Sequence, residues 1–186
     1  MDVQLADLLR EIEETSRLNG GTPRVDREAG QFLNIMVKAI RAQHILEIGT
    51  ADGYATLWLA DASATTGGLV TSIENDVWQL ELAKKVFSRS PYGDRITLVQ
   101  GDALELLPVL EGPFDFVLID ADKSQSLHYF RIIFEQVSSG AIICCDKAIS
   151  RAPALAQYLA YVHERPGLES VLVPVGQGIE VTYKMP

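Results

Sequence analysis

Apolar residues recur along the chain in two rhythms. Between residues 3 and 18, Leu5, Leu8, Leu9 and Ile12 fall at helical spacing. The stretch NGGTPR at 19–24 breaks that pattern. Asp26 is placed to cap a second helix with Phe32, Leu33, Met36 and Ile40 on one face. Beyond it the rhythm changes. Short apolar runs near 44–49, 69–74, 95–99, 114–120 and 140–146 read as strands, with helices between them near 53–62, 76–88, 102–107 and 124–137. This alternation predicts an α/β fold: a doubly wound, mostly parallel sheet with helices on both faces. After a helix near 152–164 come SVLVPV and IEVTYK, joined by GQG at 176–178. They read as a hairpin, so the sheet is expected to finish with an antiparallel strand.

A length of 186 residues suits a single domain, 1–186, in which 1–24 form an N-terminal helix and linker. That helix is expected to cap the sheet, or else to serve as a lid or a dimer arm. The chain is 47% hydrophobic, enough for one sizeable core. Its net charge of −9 argues against nucleic acid as a partner, because phosphate binding needs a basic face, and equally against an anionic membrane. No apolar run approaches the roughly 20 residues of a membrane span. The opening MDVQLADLLREIEE is acidic and amphipathic, unlike a signal peptide. Cys144 and Cys145 are neighbours inside the strand-like AIICCD and read as buried thiols in a reducing cytoplasm. His44, His128 and His163 are scattered, and no Cys/His zinc spacing exists.

In a doubly wound sheet, ligands sit at the carboxyl ends of the strands, where strand order reverses. The first such end reads ILEIGTADGY. Gly49 closes the strand and Gly53 opens the next helix, a turn that a ligand is expected to approach closely; the alternative is a tight strand-to-helix turn. Dinucleotide sites prefer G-x-G-x-x-G. Here the pattern is G-x-x-x-G, preceded by Glu47, which would repel a pyrophosphate but face an amino or sulfonium group. Glu74 ends the second strand, where an acid can accept hydrogen bonds from both ribose hydroxyls; otherwise it is a solvated acid. Asp102 and Ala103 follow the third strand, beside an adenine if Glu74 holds its ribose. Asp102 also suits a helix cap. Together these residues describe a site for a nucleoside without a phosphate, and S-adenosylmethionine fits it.

ILEIGTADGYATLWLA resembles the first motif of the class I S-adenosylmethionine-dependent methyltransferases, in particular the small O-methyltransferases that include catechol and caffeoyl-CoA O-methyltransferases. The resemblance continues through IENDVWQLELAKKVF, ITLVQGDALELLP, FDFVLIDADKSQSLHYF and VPVGQGIEVTYK, and so covers about residues 25–184. It implies a Rossmann-like methyltransferase sheet. It also implies that Glu47, Gly49 and Tyr54 approach the methionine part of the cofactor, that Glu74 holds the ribose, and that Asp102 and Ala103 flank the adenine. Where the family often has a serine that binds the cofactor carboxylate, this chain has Ala55, which leaves backbone N–H groups to serve alone.

The fourth strand ends in LIDADKSQ, where Asp120, Asp122 and Lys123 cluster. O-methylation needs a hydroxyl made nucleophilic and aimed at the methyl group. The resemblance implies Lys123 as general base. It implies that Asp120, beside the cofactor, also binds a divalent metal such as Mg²⁺ that holds the acceptor oxygen. The family usually follows its fifth strand with an Asp-Asn pair of metal ligands; here the pair is Asp146 and Lys147. An ammonium 4 Å from a divalent cation is repelled by about 8 kcal/mol at an effective dielectric near 20. Lys147 therefore points away, loses its proton, or places its ammonium in the metal's position between Asp120 and Asp146. The last arrangement satisfies both carboxylates and predicts weak or absent metal dependence, with Lys147 able to stabilise the acceptor oxyanion.

The expected activity is methyl transfer to a hydroxyl of a small phenolic or catechol-like acceptor. Acceptor contacts in the family come from the N-terminal segment and from the loop after the fifth strand, here AISRAPA. Homodimers are common in it. Three alternatives remain. A non-catalytic S-adenosylmethionine-binding protein would explain the lost asparagine and serine. An NAD-dependent oxidoreductase is disfavoured by the missing third glycine, by Glu47 and by the closing hairpin. A nucleic-acid methyltransferase is disfavoured by the charge, and by IDADK where amino-methylating enzymes carry an Asn/Asp-Pro-Pro-aromatic motif.

Overall fold

The computed structural model describes residues 2–18 and 25–186; the NGGTPR break at 19–24 lies outside the described residues. Two helices come first, α1 (Val3–Leu18) and α2 (Arg27–Ala39). The Asp26 side chain accepts the Ala29 N–H at 3.0 Å, so the expected cap of α2 forms. Then follow β1 (His44–Ile48), α3 (Tyr54–Thr66), β2 (Leu69–Glu74), α4 (Val77–Phe87), β3 (Ile96–Gln100) and the short α5 (Ala103–Leu106). The remainder is β4 (Phe114–Ile119), α6 (Ser126–Ile133), β5 (Val137–Asp146), α7 (Ala152–Glu164), β6 (Leu168–Val173) and β7 (Ile179–Lys184).

The strands form one seven-stranded sheet in the order β3-β2-β1-β4-β5-β7-β6. The first five are mutually parallel; β7 runs antiparallel to both β5 and β6. The closing hairpin thus slots its second strand into the sheet and leaves its first at the edge. Alternating side chains supply the two cores. Ile45, Val70, Phe116, Leu118 and Cys144 face α1 to α4, whereas Leu46, Ile48, Val117, Ile119 and Cys145 face α5 to α7. The neighbouring cysteines are free and buried on opposite faces. On α1, the buried residues are Leu5, Leu8 and Leu9. No helix among the described residues is long and apolar enough to cross a membrane.

Several boundaries differ from expectation: α3, expected to end near 62, runs to Thr66. The helix expected over 124–137 is regular only from Ser126 to Ile133; Lys123–Gln125 and Phe134–Gln136 are 3₁₀ turns. The fifth strand begins at Val137, not near 140. Ser138, Ser139 and Gly140 look like a turn in sequence, but the register against β4 shifts there and Gly140 takes φ +84°, a bulge inside the strand.

Candidate active site

Strand order reverses between β1 and β4, and their carboxyl ends lie side by side: the Asp120 N–H bonds the Ile48 carbonyl at 2.9 Å. Gly49, at φ +98°, sits where any Cβ would come within 2.8 Å of the Asp120 carbonyl oxygen. Gly53, at φ +84°, faces the Phe87 ring, 2.5 Å from a Cβ built there. The chain's own packing thus accounts for both glycines, in keeping with the tight strand-to-helix turn that was the alternative to ligand approach. Gly49 also lines the cavity described below; Gly53 does not. Gly49→Ala combines a disfavoured φ with a main-chain clash, so its melting temperature should fall by about 5–10 °C. An unchanged melting temperature would show that the β1–β4 crossover relaxes freely.

Glu47 is fully buried beneath this turn. Its Oε2 accepts hydrogen bonds from the Thr56 and Ser72 hydroxyls, and its Oε1 has no partner among the described residues. Burial raises its pKa to about 8, against the hydroxyl bonds, with Asp120 and Glu74 adding to the rise. The acid is held protonated in a place where a cation would ionise it. Tyr54 is held by contacts within the chain. Its ring is buried and its hydroxyl donates to Glu13 of α1 at 2.5 Å, and Glu13 also takes a bond from Arg27. The Tyr54 N–H is taken by Asp52. The side chain fastens α1 to the start of α3 and does not line the cavity.

That cavity, of about 380 Å³, opens at the ends of β1 to β4 and includes Gly49, Glu74, Asp102, Ala103 and Asp120 in its lining. Its size is that of a small-molecule site. Glu74 takes the Ala51 N–H on one oxygen at 2.8 Å and the Asp76 N–H on the other at 2.9 Å, so it ties the first loop to the second. Asp102 caps α5 through the Leu104 N–H and lines the cavity as well. Gln125 and Tyr129, linked by a 3.1 Å hydrogen bond, complete one wall. Neither Gln125 nor Tyr129 was separable in sequence from helix packing. Trp78, also bulky and nearby in sequence, is 86% exposed and outside the cavity. A wider depression of about 720 Å³ beside α1 is lined by none of the strand-end residues.

A second cavity, of about 350 Å³, shares Asp120, Ala121 and Asp122 with the first and adds Lys123, Lys147 and Arg151. Both lysines bond one oxygen, Asp120 Oδ1, each at 2.7 Å. Lys147 Nζ also lies 2.8 Å from Asp146 Oδ2. Of the three arrangements open to Lys147, the structure shows the ammonium seated between the two carboxylates. Burial lowers its pKa, but Asp120 and Asp146 outweigh burial, so the group is more basic than an ordinary lysine and remains charged. Burial and Asp120 push Asp146 up, with Lys147 opposing them. A divalent ion does not fit between carboxylates already joined by an ammonium. The described residues hold no group of three or more His, Cys, Asp or Glu arranged to bind one. Asp122 turns away to cap Ser124.

A doubly wound sheet with acids at the ends of β1, β2 and β4, and no glycine-rich phosphate cradle, defines a nucleoside-cofactor enzyme of the methyltransferase type. A sequence profile described as O-methyltransferase matches residues 2–185. The catechol O-methyltransferase of Mycobacterium tuberculosis is 35% identical over 161 residues, covering 80% of this chain and 73% of that protein. Caffeoyl-CoA O-methyltransferase 1 of Eucalyptus globulus is 30% identical over 200 residues, covering 95% and 80%. A solved O-methyltransferase from Bacillus cereus in complex with SAH superposes with a TM-score of 0.82 at 26% identity, covering 99% of this chain and 91% of that one. The chain belongs to the O-methyltransferase family, whose members draw their methyl group from S-adenosylmethionine.

Proposed function

We propose that this protein transfers a methyl group from S-adenosylmethionine to a hydroxyl of a small phenolic or catechol-like acceptor, with weak or absent dependence on a divalent metal. The observation that carries the reading is the Lys147 ammonium, bonded to Asp120 and Asp146 at the junction of the two cavities. The first cavity suits the cofactor: Glu74 faces the ribose and Asp102 and Ala103 the adenine, while Glu47, buried behind Ile48 and Gly49 and outside the cavity lining, is the acid nearest the methionine end. Bound there, S-adenosylmethionine supplies a methyl group on a sulfonium. Lys123 is the general base: its Nζ, held at Asp120, accepts the proton of the acceptor hydroxyl and later releases it to solvent. Lys147, always charged, faces the developing oxyanion as a fixed cation. Asp120 positions both lysines through one oxygen.

The test is calorimetric titration of S-adenosylhomocysteine in EDTA, followed by methyl transfer to a catechol panel with and without Mg²⁺. Micromolar binding and transfer in EDTA are expected. Lys123→Met should lower kcat by about 10²–10⁴-fold, in the range of general-base catalysis. Transfer that strictly requires Mg²⁺ would overturn the metal-independent reading. Binding without transfer to any acceptor would favour a non-catalytic cofactor-binding protein. Absence of binding would remove the methyltransferase reading from this site.

A further inference from the structure

The loop after β5 does more than deliver Lys147. It is pinned to the β6–β7 turn by main-chain bonds: Ala148 N–H to the Gly178 carbonyl at 2.8 Å, and Ile149 and Ser150 N–H to the Gln177 carbonyl, each at 3.1 Å. The Arg151 N–H bonds the Lys147 carbonyl at 2.8 Å, closing one helical turn between them. That turn brings both residues to the wall of the second cavity. Their charges are used differently. The Lys147 ammonium is consumed by Asp120 and Asp146, and Lys123 by Asp120. Asp122 is engaged by Ser124. Among the described residues, the Arg151 guanidinium has no hydrogen-bond or ion-pair partner, and its side chain makes no capping bond to α7.

We infer that Arg151 binds a carboxylate on the acceptor and thereby turns the acceptor's hydroxyl toward Lys123 and Lys147. The inference rests on the proposed O-methyltransferase activity and narrows its substrate class to hydroxyaryl carboxylates. The cavity is large enough for one substituted ring. A guanidinium fork matches a carboxylate in charge and in bidentate geometry. A single unpaired cation among the lining residues suits one negative charge, and a polyphosphate would need several.

The experiment uses protein saturated with S-adenosylhomocysteine and two ring-matched ligands, protocatechuate and its neutral methyl ester, each titrated by calorimetry. Protocatechuate should bind at least about tenfold more tightly, as a charge-assisted pair requires. In Arg151→Ala the ratio of the two dissociation constants should fall to about one, and in Arg151→Glu it should invert. S-adenosylhomocysteine affinity checks that each variant is folded. Equal affinity in the wild type, a ratio that survives in Arg151→Ala, or no binding of either catechol would overturn the assignment. Failure to bind S-adenosylhomocysteine would instead strike at the activity itself, so the two failures are distinguishable.

Discussion

Glu47→Gln should make the protein more stable at pH 8 and less able to bind its cofactor. The folded-state pKa of Glu47 is about 8, against an ordinary value of 4.5. Between those values the unfolded chain has already released this proton while the folded chain still holds it. Stability therefore falls as pH rises through the window, and the contribution is intact only below it. Glutamine mimics the protonated acid and carries no such loss. Each unit of difference corresponds to about 1.4 kcal/mol, so even half of the window should separate the two melting temperatures by about 5–10 °C near pH 8. Near pH 4.5 they should converge. Calorimetric scans at both pH values decide it; a constant offset would show that the difference comes from packing and not from the proton. Binding should move the other way. If the methionine ammonium reaches Glu47 from the adjoining cavity, as proposed, it recruits the carboxylate form. Wild-type binding near pH 7 should then release a proton, visible as a binding enthalpy that varies with buffer ionisation. Glu47→Gln should lose that dependence and bind S-adenosylhomocysteine at least about tenfold more weakly. An unaltered affinity would remove Glu47 from the cofactor site.

The second large effect concerns Lys147. Its φ of +67° is unusual for a side chain of this kind, and asparagine tolerates that conformation better, so Lys147→Asn tests the charge and not the backbone. Without the ammonium, Asp146 keeps a buried carboxyl beside Asp120 with no counter-charge of its own. Loss of one partner from a buried pair costs about 3–5 kcal/mol, and protonation of Asp146 should hold the loss near the lower figure. In EDTA, kcat should fall by about 100-fold or more, the scale of a lost oxyanion contact. The vacated carboxylates are then open to a cation, and millimolar Mg²⁺ should raise the melting temperature of the variant but not of the wild type. Full activity of Lys147→Asn in EDTA would show that the ammonium only fills space. A wild-type melting temperature that rises with Mg²⁺ would contradict its seat between Asp120 and Asp146.

Where local chemistry decides, the sequence is readable. The Asp26 cap, the apolar runs of β1, β2 and β4, and the hairpin around Gln177 follow from side-chain period and turn residues. The start of β5 does not, because Ser138, Ser139 and Gly140 carry turn chemistry and only the neighbouring β4 draws them into the sheet. At the site, Glu74, Asp102 and the Asp120–Lys123 cluster stand at strand ends, a position that alternation alone reveals. The Tyr54–Glu13 contact is not legible in sequence, because Glu13 lies 41 residues away in an amphipathic helix with no mark to single it out. Arg151 lies in the AISRAPA loop that the resemblance marks for acceptor contacts, but nothing in the sequence singles it out within that loop. It is one exposed arginine among several, and only the return of the last hairpin shows which cavity it borders.

That return shapes how this family can vary. The loop bearing Lys147 and Arg151 hangs from the carbonyl oxygens of Gln177 and Gly178, atoms that every amino acid possesses. Ile149 and Ser150, on its exposed outer side, can change identity without releasing those bonds. If acceptors dock at this rim as proposed, substitutions at Ile149 and Ser150 can alter which are admitted without moving the strand ends that line the first cavity.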